Sequence, residues 1–114
     1  MLRFAIALLP LAFVTLAGCS DGGFDGTITL NADSFSPKSA TVDAGDEVHF
    51  EVASGTHTVT IHMVGDPTTT LKLDQSVSAG DDAHFTFAAA GTYHVWCKLH
   101  GTMTSGMAMV VTVE

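Results

Sequence analysis

The sequence predicts an all-β protein, a Greek-key β-sandwich of about seven to eight strands, and three observations support this prediction. Apolar residues alternate with polar or small residues over short runs, which is the period of a strand with one face in a core. Clusters of turn-forming residues separate these runs at intervals typical of sandwiches. Beyond the N-terminal apolar segment, we find no extended helical period, internal repeat or low-complexity tract.

The alternating runs follow one another along the chain. Their apolar positions are Ile28 and Leu30; Val48, Phe50 and Val52; Val59 and Ile61; Leu71 and Leu73; Phe85 and Phe87; Tyr93, Val95 and Cys97; and Met107, Met109, Val111 and Val113. The segments between them include Asp-Ala-Gly-Asp at 43–46 and Ala-Gly-Asp-Asp at 79–82. Gly and Asp suit the backbone conformations of tight turns. A chain of 114 residues has room for one such core.

The N-terminal segment differs from the rest in composition. Arg3 precedes an apolar run from Phe4 to Leu16, which ends in Leu-Ala-Gly-Cys at 16–19. The pattern is typical of a secretory signal, and the tetrapeptide resembles a bacterial lipobox, which implies a signal peptide at 1–18 and lipidation of Cys19. An ordinary secretory signal or a short membrane anchor is the alternative, although the run is shorter than the roughly twenty residues of a spanning helix.

The segment after this signal is rich in Gly and Asp. We expect residues 19–26 to be a flexible tether and residues 27–114 to form the folded domain. The chain has two cysteines, which in an exported protein would normally suggest a disulfide. Lipidation of Cys19 would leave Cys97 as a lone thiol in an oxidising compartment, and metal ligation would protect it.

The sequence around Cys97 contains a set of metal-ligating residue types. Cys-Lys-Leu-His at 97–100 is followed by three methionines, and His57 lies far upstream. Two His and one Cys with a long axial Met are the ligand set of blue-copper electron-transfer sites, because thiolate and thioether suit Cu(I) and imidazole suits both oxidation states. Cys97 and His100 can converge from one loop. His57 can join them only if a sandwich brings two strand ends together.

These motifs resemble those of the cupredoxins, in particular plastocyanin, amicyanin and the lipid-anchored halocyanins. The resemblance extends from about Phe35 to Glu114. It is carried by Phe-Ser-Pro at 35–37, residues 42–50, His-Thr-Val-Thr at 57–60, Gly-Thr-Tyr at 91–93 and the loop that begins at Cys97. The resemblance implies one type 1 copper ion with His57, Cys97 and His100 as equatorial ligands. It also implies an electron carrier rather than an enzyme, with the edge of His100 as the electron port.

The axial ligand is open between Met107 and Met103. Strand parity favours Met107, because it shares the inward face with the following apolar residues of the last strand. Gly106 precedes it, which resembles the Gly-Met pattern of plastocyanin. Choosing Met103 would resemble the shorter amicyanin loop but leaves extra residues before the strand. We expect Met109 to fill core space.

Other residues with functional potential have simpler interpretations. The remaining histidines fall in strands at positions opposite the apolar set, so we expect them to be solvated. They are His49, His62, His84 and His94. Trp96 has outward parity and is either part of a partner-docking surface or half covered by a neighbouring strand. Thr58 stands where plastocyanins commonly have Asn, so the contact that this Asn makes around the copper ligands is not carried over to Thr58.

The chain is acidic, with a formal net charge of −8 at pH 7. Acidic surfaces disfavour nucleic-acid binding and steer basic redox partners, soluble or membrane-bound, at low salt. Solubility or adaptation to high salt would give the same composition. We expect a monomer, exported and lipid-anchored at the periplasmic or extracytoplasmic face of a membrane.

Two other functional classes would use similar residues. A copper-delivery or storage protein of the cell envelope would also employ His and Met, and the three nearby methionines could favour Cu(I). A structural or adhesive sandwich would contain the set by chance. The joint occurrence of an upstream His, Cys-x-x-His and a Met in register favours the electron carrier over both.

Overall fold

The computed structural model describes residues 24–114, which form a β-sandwich. In this part of the chain there are nine strands and no helix. The strands are β1 (Thr27–Leu30), β2 (Phe35–Ser36), β3 (Ser39–Val42), β4 (Asp46–Val52), β5 (Thr56–Met63), β6 (Leu73–Ser78), β7 (Asp82–Phe87), β8 (Gly91–Gly101) and β9 (Gly106–Val113). The predicted all-β class is confirmed. The strand count exceeds the predicted seven to eight because β2 has only two residues and because one of the two buried positions of β3 is the small Ala40.

The strands form two mixed sheets. One has five strands in the order β3-β9-β8-β5-β6, and the other has four in the order β2-β1-β4-β7. β9 pairs with β3 and β1 pairs with β4 in parallel, while the other pairs are antiparallel. Consecutive strands repeatedly change sheet, as from β4 to β5 and from β7 to β8, so the two sheets are interleaved along the chain in the manner of a Greek key.

The core lies between the sheets and consists of the residues with inward parity. Its fully covered members include Ile28, Leu30, Val48, Phe50, Val59, Ile61, Val95 and Val111, all with 0% exposure. Burying an aliphatic or aromatic side chain of this kind contributes about 1.5–3 kcal/mol each. The predicted alternating run of Leu71 and Leu73 is wrong at its first residue. β6 begins only at Leu73, and Leu71 is 36% exposed.

The folded domain makes contacts upstream of the predicted boundary at residue 27. Phe24 packs against the core, the Asp25 side chain accepts a hydrogen bond from the Thr27 N–H at 3.0 Å, and the Gly26 carbonyl accepts one from the His49 N–H at 2.8 Å. The predicted signal peptide, the predicted lipidation site Cys19 and most of the predicted tether lie outside the described residues. Within residues 24–114, no helix is long and apolar enough to cross a membrane.

A bulge in β8 shapes the end of the five-stranded sheet. Ala108 of β9 pairs with Trp96, and Gly106 pairs with Gly101. Two steps along β9 therefore correspond to five steps along β8, so β8 contains three extra residues between these pairs. The extra length makes the chain bend out of the regular ladder, and it falls on the segment from Cys97 to His100.

Candidate metal centre

Three side chains converge where β5 meets the bulged end of β8. The Cys97 Sγ lies 3.4 Å from the His100 Nδ1 and 3.8 Å from the His57 Nδ1, and the two Nδ1 atoms are 3.2 Å apart. Cys97 and His57 are both 0% exposed, whereas His100 is exposed. The structure thus brings together the three equatorial ligands that the sequence predicts.

The spacing of these atoms fits a single metal ion. Nitrogen and sulfur ligands lie about 2.0–2.3 Å from an ion such as Zn²⁺, so three of them around one ion are separated by roughly 3.5–4 Å. The observed separations are close to this range, and all three atoms lie within 4.8 Å of one another. An N₂S donor set that is mostly shielded from water suits copper in both oxidation states.

The imidazole of His57 is held in one tautomer. Its Nε2–H donates a hydrogen bond of 2.7 Å to the Ser54 carbonyl oxygen, so a neutral ring has its lone pair on Nδ1, the atom that faces Cys97. Gly55 lies directly over this ring. A Cβ at Gly55 would stand 3.0 Å from the His57 Nε2, and the φ of +84° is one that other residues rarely adopt.

Thr58 connects the two halves of the site, a role that sequence reasoning did not assign. Its N–H donates to the Cys97 Sγ at 3.4 Å, and its Oγ1 accepts a hydrogen bond of 2.9 Å from the Lys98 N–H. Hydrogen bonds to the sulfur of a ligating Cys stabilise the thiolate and tune the potential of a bound metal. The sequence offered two signals for this role: the outward parity of Thr58 next to His57, and its position where plastocyanins commonly have Asn.

A chain of polar contacts extends from Thr58 across the outer face of the sheet. The Thr58 and Thr60 hydroxyls are 2.9 Å apart, and the Thr60 hydroxyl donates to the Asp74 carboxylate at 3.1 Å. The Lys98 Nζ donates to the same carboxylate at 2.6 Å. The hydrogen bond from Lys98, together with that from Thr60 and the positive charge of Lys98, lowers the pKa of Asp74. The network closes a ring that fixes β8 against β5 and β6.

The hairpin between β8 and β9 separates the two candidate axial methionines. Residues 102–105 form its turn, in which the Thr102 N–H donates to the Ser105 carbonyl oxygen at 2.8 Å. Gly101 allows the strands to approach closely, because a Cβ there would stand 2.5 Å from the Met107 backbone nitrogen. Met107 is 1% exposed and belongs to the same core cluster as Cys97.

Met103 has a different environment from Met107. It is half-buried in the turn and lines a shallow surface cavity with Lys38 and His94. Met109 is 3% exposed in the core, as predicted. The placement of Met107 in the same core cluster as Cys97 agrees with the parity argument, and the axial assignment of Met107 stays our prediction.

Trp96 is covered by its surroundings rather than exposed at the surface. Trp96 has the predicted outward parity, between Thr60 and Ala108 of the adjacent strands, but it is only 8% exposed. The alternative of a Trp covered by its surroundings describes it better. Docking of a partner at Trp96 stays a prediction, and the small exposed fraction of the side chain offers a partner little contact area.

His62 is not solvated, contrary to the prediction. It is 4% exposed, and its Nε2–H lies within hydrogen-bond distance of the Asp66 and Pro67 carbonyl oxygens, at 3.0 and 3.2 Å. The turn that follows β5 folds back over the outer face of the sheet and covers the ring. Strand parity identifies the face of a residue but not whether a loop covers that face. Of the others, His84 is exposed and His49 and His94 are half-buried.

The fold and the donor set together define a type 1 copper protein, in which His57, Cys97 and His100 form the copper site. A family model described as a cupredoxin-like domain matches residues 4–111. The chain therefore belongs to the cupredoxin-like family, as the resemblance implied. No curated protein matches the sequence significantly.

Solved structures with the same fold include copper proteins of different kinds. A purple cupredoxin from Nitrosopumilus maritimus is 20% identical with a TM-score of 0.62, over 79% of this chain and 100% of that one. Amicyanin from Paracoccus versutus is 19% identical with a TM-score of 0.62, over 82% and 86%. A copper-containing nitrite reductase from Thermus scotoductus is 20% identical with a TM-score of 0.57, over 77% and 22%. At these identities the likeness shows the fold alone.

Proposed function

We propose that this protein is a type 1 (blue) copper electron-transfer protein that carries single electrons between redox partners at the cell envelope. The observation that carries the proposal is the asymmetry of the three-donor site. His57 and Cys97 are fully buried, whereas His100 is exposed. A metal held there would be shielded from water yet connected to the surface through one imidazole.

The residues of the site have distinct roles in this proposal. Bound copper supplies the Cu(II)/Cu(I) couple. His57, Cys97 and His100 would hold the ion, with Met107 as the proposed fourth ligand. The Ser54 carbonyl and the Thr58 N–H keep the His57 ring and the Cys97 sulfur in place, so little rearrangement accompanies a change of charge. The exposed edge of His100 faces the partner.

We propose a carrier rather than an enzyme. An enzyme of copper chemistry needs a coordination position that a substrate can reach. Here two of the three donors have no exposed surface, so access to the metal would be restricted to the His100 side.

A metal titration tests the copper site. We would add Cu(II) to the reduced protein carrying Cys19→Ser while recording visible absorption and electron paramagnetic resonance spectra. We expect an intense blue thiolate-to-copper band that saturates at one equivalent and bleaches reversibly on reduction. A pale spectrum with weak binding would reject the proposal. Tight binding of Cu(I) alone, with transfer to an acceptor, would instead support the alternative of copper delivery or storage.

Membrane attachment through Cys19 is a separate part of the proposal. The composition of residues 1–19 supports it, and a lipid anchor would keep the domain close to membrane-bound redox partners. Expression in a bacterium with a lipoprotein pathway, followed by fractionation, tests this part. We expect the unaltered chain in the membrane fraction and the Cys19→Ser chain in the soluble fraction. Equal distribution of the two would contradict lipidation.

A further inference from the structure

The outer face of the four-stranded sheet carries a second cluster of metal-ligating side chains. In β4, Val48 and Phe50 face the core, so the flanking Glu47 and His49 face outward. His84 of β7 is directly opposite His49 in the antiparallel ladder. The backbone register therefore places two imidazoles and a carboxylate side by side on a rigid surface, on the sheet that does not contain the copper ligands.

The side chains of this cluster contact one another through a shared carboxylate. The His49 Nε2 lies 3.2 Å from one oxygen of Glu47, and the His84 Nδ1 lies 3.2 Å from the other. The two rings are 5.3 Å apart between centroids. The remaining nitrogen of His49, Nδ1, is 3.5 Å from the Asp82 carboxylate. Each ring of the pair is thus oriented by a carboxylate, and His49 is flanked by two.

The charges around the cluster favour a cation. Glu51 and Asp82 are directly opposite each other in the same ladder, an arrangement of like charges that destabilises a sheet. The lysines in the described part of the chain lie elsewhere. Lys72 pairs with Asp66 and Lys98 with Asp74, while Lys38 lies beside β9. No lysine or arginine among residues 24–114 is paired with the cluster.

We propose that this surface binds one divalent first-row transition-metal ion through His49, His84 and Glu47. Imidazole and carboxylate are ligands that suit Zn²⁺ and Cu²⁺. Asp82 acts as the positioning residue, because a carboxylate on the second nitrogen of a ligating His fixes the tautomer and orientation of the ring. The side chains of His49 and His84 are 41% and 57% exposed, so a metal ion can reach both rings, and the His84 ring, which Asp82 does not contact, can turn toward the ion that His49 and Glu47 bind. The site is independent of the electron-transfer function.

Zinc titration of the copper-loaded protein tests this site. We would follow Zn²⁺ binding by calorimetry and monitor the blue band to confirm that the copper site is undisturbed. We expect one equivalent of Zn²⁺ to bind, and we expect His49→Gln and His84→Gln each to weaken binding by at least about tenfold. His94→Gln is the matched control and should leave binding unchanged. Absence of saturable Zn²⁺ binding, or equal binding by all three variants, would overturn the proposal.

The role of Asp82 has its own control on the same face. Asp82→Asn and Glu51→Gln each remove one negative charge, but only Asp82 contacts His49. We expect the Asp82 variant to lose more Zn²⁺ affinity than the Glu51 variant. When Cu(II) is added instead of Zn²⁺, we expect the non-blue paramagnetic resonance signal of the Asp82 variant to differ from that of the unaltered protein. Equal losses would show that charge alone matters and would overturn the positioning role.

Discussion

The two histidines of the copper site differ in position, exposure and hydrogen bonding, although both offer Nδ1. His57 lies within β5, is fully buried and has its Nε2–H fixed by the Ser54 carbonyl. His100 lies in the bulged end of β8, is exposed and contacts the site through Nδ1. Both present Nδ1 to Cys97. We infer that the two halves of the site have different roles. The strand half, which contains Gly55 and His57, sets the donor geometry. The hairpin half, which contains His100, Met103 and Met107, connects the site to solvent through His100.

The largest difference between the halves should appear when each imidazole is deleted. We expect His57→Gly and His100→Gly both to lose the blue copper spectrum. Added free imidazole should restore the spectrum of the His100 variant, because the vacated position opens to solvent, and should not restore that of the His57 variant. Visible absorption during imidazole titration measures this, with circular dichroism as the control for folding. Equal rescue of both variants by imidazole would contradict the different roles of the two halves.

The strand half can be disturbed without changing a ligand. Gly55→Ala should destabilise the protein by about 1–3 kcal/mol through its left-handed backbone and should alter the copper spectrum, because the new Cβ meets the His57 ring. Gly80→Ala is the matched control, since Gly80 has a φ of +90° and nothing within 4 Å of its Cβ position. We expect Gly80→Ala to lose about as much stability as Gly55→Ala but to keep the copper spectrum of the unaltered protein. Identical spectra for both variants would show that Gly55 does not position His57.

The hairpin half contains the proposed axial ligand. We expect Met107→Leu to shift the reduction potential and the relative band intensities of the copper spectrum, because the axial ligand tunes the potential. Met103→Leu should change both much less, since Met103 lies in the turn beside a surface cavity. Voltammetry and absorption of the two variants make the comparison. A larger change on replacing Met103 would overturn the assignment of Met107.

The smallest effect concerns Asp74, which links β6 to both halves through Thr60 and Lys98. Its pKa is lowered from the ordinary 3.8 chiefly by the Lys98 hydrogen bond, so its stabilising contribution is present above that value and is lost as the pH falls through the lowered pKa of the folded state. Urea unfolding of the metal-free protein and of Asp74→Asn should show a small difference at pH 7 that narrows below about pH 3.8. A difference that grows in acid would contradict this account.

Some features of the two halves could be predicted from the sequence, and others could not. Alternation predicted the inward placement of Cys97 and Met107, because the face of a strand residue follows from local period. It left open whether Trp96 is covered and was wrong about His62, because burial of an outer face depends on distant segments of the chain. The bulge in β8 and the link from Thr58 to Lys98 were also missed, since both arise from pairing between strands.

The central claim is that a preorganised site carries one electron with little rearrangement, and voltammetry of the copper-loaded protein tests it most directly. The account predicts a reversible one-electron wave whose midpoint does not depend on scan rate, with copper retained after repeated cycles and the wave absent in Cys97→Ser. An irreversible wave with release of copper on reduction would contradict electron carriage and would favour copper delivery.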